Sequence, residues 1–420
     1  MIKMNIKAKI KDLIPYKIIR HLESKKRIRE CERVLSKVDV IVNKDRNQTI
    51  NILFAGLIKS TMSGGPLSIL YFINFLYNIG LNVRIIFYRC VVSEQAIREN
   101  ISKIDNRFLD LSRHVEIDYS IIRNSIRINP VYISQSDMTV VTLWDGAFFA
   151  QQIQAKCLNR KFIYFIQEDE RIFYKHGTEH VLVEQSYNLD YYSMFSTEIL
   201  RNYFYNENIG NFKEKYETSI SQQSPSYFSL PSKEVFIQRG KKKKFVFYLQ
   251  NDRNCSEYVL YLIKEAIRRE ILTNDWEIFG LAAMKNEIIE VTPDIKIQMK
   301  TSIPLKLYTE SLHTYDVGLI LMEAPHVCML PIDLSLSGCV VVTNTYKNKT
   351  VEELKKISEN IYGSSIDVES MMSTLKLAIM ASNDIETRYK NATESCFPII
   401  DDIFNEKHKK WVDSILEELK

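Results

Sequence analysis

The sequence predicts an α/β protein made of two Rossmann-like halves that face each other across a cleft, preceded by a basic helical segment. Three observations carry that expectation. The 420 residues suffice for two domains of ordinary size. Two separate series of short apolar runs alternate with segments of helical period, the pattern of a parallel sheet with crossover helices. A polar stretch at roughly 206–233, rich in Ser, Gln, Asn and Tyr, lies between the two series as an interdomain region.

The elements follow in order. Residues 1–48 form a basic leader. Within 1–35 it carries many more Lys and Arg than acids, in patterns such as Ile10-Lys11-Asp12-Leu13-Ile14. Such a segment either lies on an anionic membrane surface or packs as a solvated helix on the first half. The first half covers 49–232. Asn51–Leu57 is a buried strand, and a Ser/Thr/Gly loop runs from Ser60 to Pro66. A helix then carries Leu67, Leu70, Ile73 and Leu76 on one side, and Val83–Tyr88 is the next strand. Val140–Trp144, Phe162–Ile166 and Tyr192–Ser196 read as further strands, with a helix from Ala147 to Cys157. The second half covers 233–400. Its strands are Lys244–Gln250, Trp276–Gly280, Val317–Met322 and Cys339–Thr343. Its helices are Ser256–Arg269, Leu305–His313 and Pro331–Ser337. Residues 401–420 form a closing amphipathic helix, with Ile403, Phe404, Trp411, Val412, Ile415 and Leu416 to one side, packing back toward the first half.

Composition narrows the class. An apolar fraction of 45% with 26% charged residues is that of a globular chain, and 12 glycines leave little room for low-complexity linkers. The 7 cysteines include no Cys-x-x-Cys pair, which speaks against a disulfide framework or a structural zinc and for a reducing cytosol. The first thirty residues lack the apolar core of a signal peptide, and no apolar run approaches the ~20 residues that span a bilayer. The expected place is the cytoplasm, with peripheral contact at the inner membrane. A net charge of +4 gives no footprint for nucleic acid.

Four segments carry chemistry. In Ser60–Pro66, Gly64 and Gly65 sit between a strand and a helix, where bare backbone approaches an anion or a sugar; an ordinary tight turn is the alternative. The loop is neither a Walker loop nor a Gly-x-Gly-x-x-Gly fingerprint, so ATPase and dehydrogenase readings lose support. In Phe165–Gly177 the acids Glu168, Asp169 and Glu170 follow directly on a strand. They could hold an acceptor hydroxyl, act as a base, bind a divalent ion, or merely be solvated. In Gln250–Asn254, Arg253 stands at the mouth of the second sheet, where its fork suits a diphosphate; an ordinary surface arginine is the alternative. In Asp316–Asn344 a strand runs through a loop containing His326 into a helix beginning at Pro331. The N–H groups of that helix start suit a diphosphate, and Asp333 suits a ribose hydroxyl.

The last segment resembles the donor-site signature of retaining GT-B glycosyltransferases of family four, in which a helix carboxylate before Gly-x-Pro-Val-Val grips the donor ribose. Asp333 takes that position, where the family usually has Glu. The second Glu that such enzymes carry eight residues earlier is here Pro325. A closer resemblance is to bacterial rhamnan-type rhamnosyltransferases. It rests on Ala324-Pro325-His326 in place of a Ser-Pro-His loop, on Phe165–Gly177 in place of Phe-x-Gln-Asp/Glu followed by Phe-Tyr-x-x-Gly, and on Gly64-Gly65, in matching order over most of 50–345.

The resemblance implies a glycosyltransferase of GT-B architecture. It would move a sugar, such as the deoxyhexose rhamnose, from a nucleotide-diphosphate donor to a hydroxyl of a bacterial surface polysaccharide or lipid-linked glycan. Arg253, Lys300, Lys306 and the helix start at Pro331 would stabilise the leaving diphosphate, so that neither a metal nor a resident cofactor is needed. Glu168 or Asp169 would contact the acceptor, with His326 near the donor. The rivals are a nucleotide-sugar epimerase on the same architecture and a non-catalytic glycan-assembly scaffold.

Overall fold

The computed structural model describes residues 16–56, 64–89, 93–102, 106–119, 130–222, 230–238, 240, 242–249, 254–301, 305–395 and 403–418. Two seven-stranded sheets organise the chain, and each begins from runs too apolar to face water. In the first half the strands are β1 (Val40–Val42), β2 (Ile50–Phe54), β3 (Val83–Phe87), β4 (Glu116–Asp118), β5 (Val131–Ile133), β6 (Met138–Val141), β7 (Phe162–Ile166), β8 (Tyr191–Phe195) and β9 (Ile220–Ser221). β1 and β5 form a separate parallel pair. The other seven lie in the order β4-β3-β2-β6-β7-β8-β9, every pairing parallel. All five residues of β2, β3, β7 and β8 are buried, as strands covered on both faces must be. The Gly64–Asn78 helix covers one face through Leu67, Leu70, Ile73 and Leu76; the Trp144–Gln154 helix covers the other through Trp144, Ala147 and Ile153.

The second half repeats the plan with β10 (Lys243–Tyr248), β11 (Trp276–Leu281), β12 (Glu287–Thr292), β13 (Ile295–Met299), β14 (Val317–Leu319), β15 (Val340–Asn344) and β16 (Ile361–Ser364). Their order is β12-β13-β11-β10-β14-β15-β16, parallel except for the β12–β13 hairpin. The winding direction reverses between β2 and β6 in one sheet and between β10 and β14 in the other. Such switch points open a crevice beyond the carboxyl ends of the strands, which is where open α/β sheets bind ligands. The protein is thus mixed α/β with two Rossmann-like halves, the GT-B architecture.

Several expectations change on contact with the structure. The stretch at 206–233 is not simply a hinge. The Phe212–Lys215 helix and β9 extend the first half as far as Gln222, whose N–H bonds the Phe195 carbonyl at 2.9 Å. Phe212 explains the miss, because one buried ring packed on Phe195 and Phe204 outweighs a polar neighbourhood. The helix before β15 begins at Met329, not Pro331, with Cys328 as its N-cap. Asp333 therefore lies in the second turn. The helix ends at Leu336, and Gly338 follows in the left-handed region at φ 80°.

The basic leader is a helix over Tyr16–Val34, and residues 1–15 lie outside the described residues. Its described apolar residues do not gather on one face: Ile18 and Ile28 are exposed, whereas Val34 is fully buried in the first half. The membrane-surface reading rested on Ile10–Arg20, most of which lies outside the described residues and side chains. Among the described residues no helix is long and apolar enough to cross a membrane. The closing helix spans Glu406–Glu417 and inserts Val412 and Ile415 into the core of the first half. There Trp411 Nε1 donates to the Thr218 carbonyl at 2.8 Å.

Candidate functional site

The loops after β7 and β14 leave the carboxyl ends of the two sheets and meet. Nε2 of His326 lies 3.0 Å from Oε2 of Glu168, so one side chain from each half closes a contact across the cleft. Both residues are buried, at 7% and 5% exposure. Glu168 Oε1 accepts the Asp169 N–H at 3.1 Å. His326 Nδ1 is buried and has no hydrogen-bond partner among the described residues. The surroundings hold the contact in place. Ile199 of the first half packs against the apolar group of Val327, Ile332, Leu354 and Ile361 in the second, and Asn348 Nδ2 donates to the Ile199 carbonyl at 2.6 Å.

The three consecutive acids go three ways. Asp169 caps the short 3-10 turn Glu170–Phe173, with Oδ1 accepting the Arg171 N–H at 3.2 Å. The Arg171 guanidinium also grips Asp169 through both oxygens at 2.9 Å. Asp169 is thus committed to shaping its own loop, apart from the Glu168–His326 contact. Glu170 turns inward: Oε1 accepts the Trp144 N–H at 2.8 Å and the Tyr164 hydroxyl at 3.4 Å. Burial, reinforced by the nearby Asp145 charge, pushes the Glu170 carboxyl up to about 8.

Asp145 itself is fully buried, with Arg89 Nε and Arg33 Nη2 each at 2.7 Å and the Tyr88 hydroxyl at 3.0 Å. Burial alone would raise its carboxyl, but the Arg89 and Arg33 charges hold it below its ordinary value. Arg33 comes from the leader helix, which is tied to the first half at this point. Beside it, a cavity of about 720 Å³ opens between that helix and the segment after Glu170. Arg27, Ile28, Phe173, Tyr174, Lys175 and His176 line it, and Phe173 is 43% exposed.

On the other side, the loop after β14 is held by side chains from elsewhere. Asn254 Nδ2 donates to the Leu321 carbonyl at 2.9 Å, Asn344 Oδ1 accepts the Met322 N–H at 2.8 Å, and Lys349 Nζ donates to the Met322 carbonyl at 2.7 Å. All three residues are almost fully buried. They fix the backbone that presents His326, and sequence reasoning missed that role. The available signal was polar residues just outside apolar strands, where a buried backbone needs partners.

The remaining sequence-predicted residues scatter more widely. Gly64 and Gly65 are the first residues of the Gly64–Asn78 helix, and the Gly65 carbonyl accepts from Gln167 Nε2 at 3.0 Å. This joins the start of that helix to the loop bearing Glu168; residues 57–63, with the start of the Ser/Thr/Gly loop, lie outside the described residues. A Cβ on Gly65 would stand 3.0 Å from Gln167 Oε1, so the approach is tight. Pro331 is buried in the first turn of its helix. Asp333 is 2% exposed, with Oδ2 accepting the Tyr308 hydroxyl at 2.9 Å, so its carboxylate faces the domain interior rather than the helix start. Lys300 follows β13, its ammonium 4.4 Å from the centre of the Phe279 ring. Lys306 belongs to the Leu305–Leu312 helix, its side chain outside the description, and Arg253 lies outside the described residues. Among the described residues no group of three His, Cys, Asp or Glu is placed to hold a metal ion.

Comparison with known proteins supplies a family. The model of the WsaF N-terminal domain matches residues 49–197, and that of the WsaF C-terminal domain matches residues 243–376. No curated protein sequence matches the chain. Among solved structures, sucrose-phosphate synthase from Thermosynechococcus elongatus is 8% identical and covers 89% of this chain and 99% of its own, with a TM-score of 0.55. The catalytic domain of starch synthase IV from Arabidopsis thaliana, bound to ADP and acarbose, is 9% identical over 89% of this chain and 99% of its own, with a TM-score of 0.54. Apo OtsA is 10% identical with the same coverage and a TM-score of 0.51. At such identities the likeness is one of fold.

Proposed function

The chain belongs to the WsaF family and is a glycosyltransferase of the GT-B type; on that premise we propose that it moves a sugar from a nucleoside-diphosphate donor to a hydroxyl of a surface polysaccharide or lipid-linked glycan. The observation that carries the proposal is the Glu168–His326 contact. It puts a carboxylate from one half and an imidazole from the other in the crevice at the carboxyl ends of both sheets.

The donor lies on the second half. There the open N–H groups at the start of the Met329–Leu336 helix face the diphosphate, with Arg253, Lys300 and Lys306 as its cationic partners. Asp333 would reach a ribose hydroxyl only by exchanging its Tyr308 partner for it. A solved structure of the same fold that holds ADP and a pseudo-oligosaccharide supports a nucleotide and a glycan as the ligand classes. The acceptor chain runs from the contact along the loop after β7 into the cavity between that loop and the leader helix. The exposed Phe173 ring offers an apolar platform there, and Arg27, Lys175 and His176 offer hydrogen bonds. No metal takes part: leaving-group charge is met by cationic side chains and a helix start. Rhamnose is the sugar to test first.

The test is a thermal-shift series with dTDP-β-L-rhamnose, UDP-α-D-glucose and GDP-α-D-mannose. A ligand that binds only the native state raises the melting temperature, by an amount set by its concentration relative to Kd. At least one of the three raises it if the proposal holds. A flat response to all three, and to free dTDP, UDP and GDP, contradicts it.

A further inference from the structure

We propose that the turn Tyr346–Lys349 is a clasp between the two halves, that Asn348 is its positioning residue, and that the clasp keeps water from the donor sugar while the acceptor reacts. This rests on the transferase reading above and goes beyond it, because that reading leaves open how the cleft stays shut during transfer.

The turn has a fixed shape. The Tyr346 and Lys349 backbones bond each other in both directions, at 3.1 and 2.8 Å. Lys347 lies between them in the left-handed region at φ 51°, which is uncommon outside glycine. Both flanks are fastened to the second half. Before the turn, the Thr345 N–H donates to the Ser364 carbonyl at 2.8 Å; after it, Thr350 caps the Val351–Ile357 helix. The turn is therefore carried by the second sheet.

Its side chains reach to both halves. Asn348 Nδ2 donates to the carbonyl of Ile199 at 2.6 Å, and Lys347 Nζ lies 3.6 Å from Glu207 Oε1. Ile199 lies in the first turn of the Glu198–Asn206 helix and Glu207 is its C-cap, so both ends of that first-half helix are held. Lys349 Nζ turns back to the Met322 carbonyl at 2.7 Å, in the loop that presents His326. One turn of four residues thus ties the first half to the loop that faces it.

The two cross-cleft ties differ in weight. Lys347 and Glu207 are 47% and 44% exposed, so water and salt screen their attraction. Asn348 is the firmer tie, yet its Oδ1 is buried with no hydrogen-bond partner among the described residues. The Nδ2 bond favours contact between the halves and the orphaned Oδ1 opposes it. The cleft is thereby held without being locked, as release of a nucleotide product requires.

Water that enters takes the acceptor's place. Its oxygen bonds the anomeric carbon, the bond from that carbon to the diphosphate oxygen breaks, and the electron pair leaves with the nucleoside diphosphate. The water's proton passes to solvent, and the product is free sugar instead of glycoside.

The test uses the full chain, the three donors named above and octyl glycosides of rhamnose, glucose and mannose as acceptors, and measures glycoside and free sugar together. Asn348→Asp keeps the shape and replaces the donating nitrogen by an oxygen that repels the Ile199 carbonyl. Transfer kcat falls about 10-fold or more, and the ratio of free sugar to glycoside rises about fivefold or more. Kd for the free nucleoside diphosphate stays within about twofold, because the second half binds it unaided. A purely structural defect lowers both products together and leaves the ratio unmoved. Glu207→Lys sets two ammonium groups against each other on the exposed rim; it raises the ratio about twofold at low salt, and adding Lys347→Glu restores it. An unchanged ratio in Asn348→Asp overturns the proposal; where that variant is insoluble, an unchanged ratio in Glu207→Lys does so. Absence of transfer from all three donors, with no thermal shift, overturns the transferase reading and the clasp's role with it.

Discussion

The two loops that meet in the cleft are held differently. The loop after β7 takes part of its support from its own acids: Asp169 caps the turn that follows it and pairs with Arg171 two positions on, and Glu170 reaches under it to the Trp144 N–H, while the Tyr187 and Ser196 hydroxyls brace its backbone from outside. The loop after β14 supplies almost none of its own support. Asn254, Asn344 and Lys349 reach in from flanking segments to satisfy its backbone at Leu321 and Met322. The difference teaches that a cluster of charged residues in sequence need not be a cluster in function. Two of three adjacent acids build the scaffold and leave one to face the other half. On the other side the sequence shows a lone histidine, and its supports lie as far as 72 residues away in the chain.

This contrast can be broken from either side. The largest effect is expected at Gly338, which ends the helix after the second loop. An alanine Cβ there would lie 2.5 Å from the Phe236 ring at a φ of 80°. Left-handed strain of ~1–2 kcal/mol and overpacking of ~1–3 kcal/mol add to a loss of roughly 2–5 kcal/mol in Gly338→Ala, read by denaturant unfolding. A neutral result means that the helix end can shift and that the second loop is less firmly built than described.

Next is Asn344→Ala, which strands the buried Met322 N–H and costs about 1–3 kcal/mol. Nucleoside-diphosphate binding weakens with it, because the loop before the donor helix loosens. Unchanged binding by titration calorimetry would show that the donor side does not depend on this neighbour.

Glu170 tests the loop after β7 through pH. Its folded carboxyl, pushed up to about 8 by burial and by Asp145, lies above the unfolded value of 4.5. The folded state therefore holds the proton more tightly, and this group's contribution is fully present below pH 4.5 and is lost as pH rises through about 8. Glu170→Gln keeps an acceptor for the Trp144 N–H and removes the titration. Its unfolding free energy should match wild type near pH 4.5 and exceed it increasingly toward pH 8, by a few kcal/mol at most. A difference independent of pH contradicts the assignment.

The smallest effect on stability is expected from Phe173→Ala, since that ring is 43% exposed. Stability should move by about 0.5 kcal/mol or less, while KM for a tri- or tetrasaccharide acceptor rises and KM for an octyl monoglycoside does not. Equal changes in both KM values remove the cavity from the acceptor path.

How much was legible follows from the same contrast. Strands buried on both faces announced themselves, because β7 is an unbroken apolar run and β2, β3 and β15 are interrupted only by Asn51, by Arg84 and by the closing Thr343 and Asn344. So did Gly338 as a helix end. Edge elements did not: β12 alternates half-buried and exposed residues, and β9 has only two. In the candidate site, Glu168 and His326 stand out in sequence because a carboxylate after a strand and a histidine in a strand–helix loop are visible locally. That they pair with each other could not be read, because 158 positions separate them and only the closure of two domains brings them together. Asp333 stands out in sequence as a helix carboxylate, but its burial against Tyr308 does not, because that partner lies 25 positions away on another helix and only the fold brings the two together.

The most direct test is a double-mutant cycle on kcat with Glu168→Gln, His326→Gln and the two combined. If the carboxylate acts through the imidazole across the cleft, the double variant is no slower than His326→Gln alone, and the coupling nearly equals the whole effect of Glu168→Gln. If the two losses multiply, the residues work independently, and the cross-cleft pair is not the working centre of this enzyme.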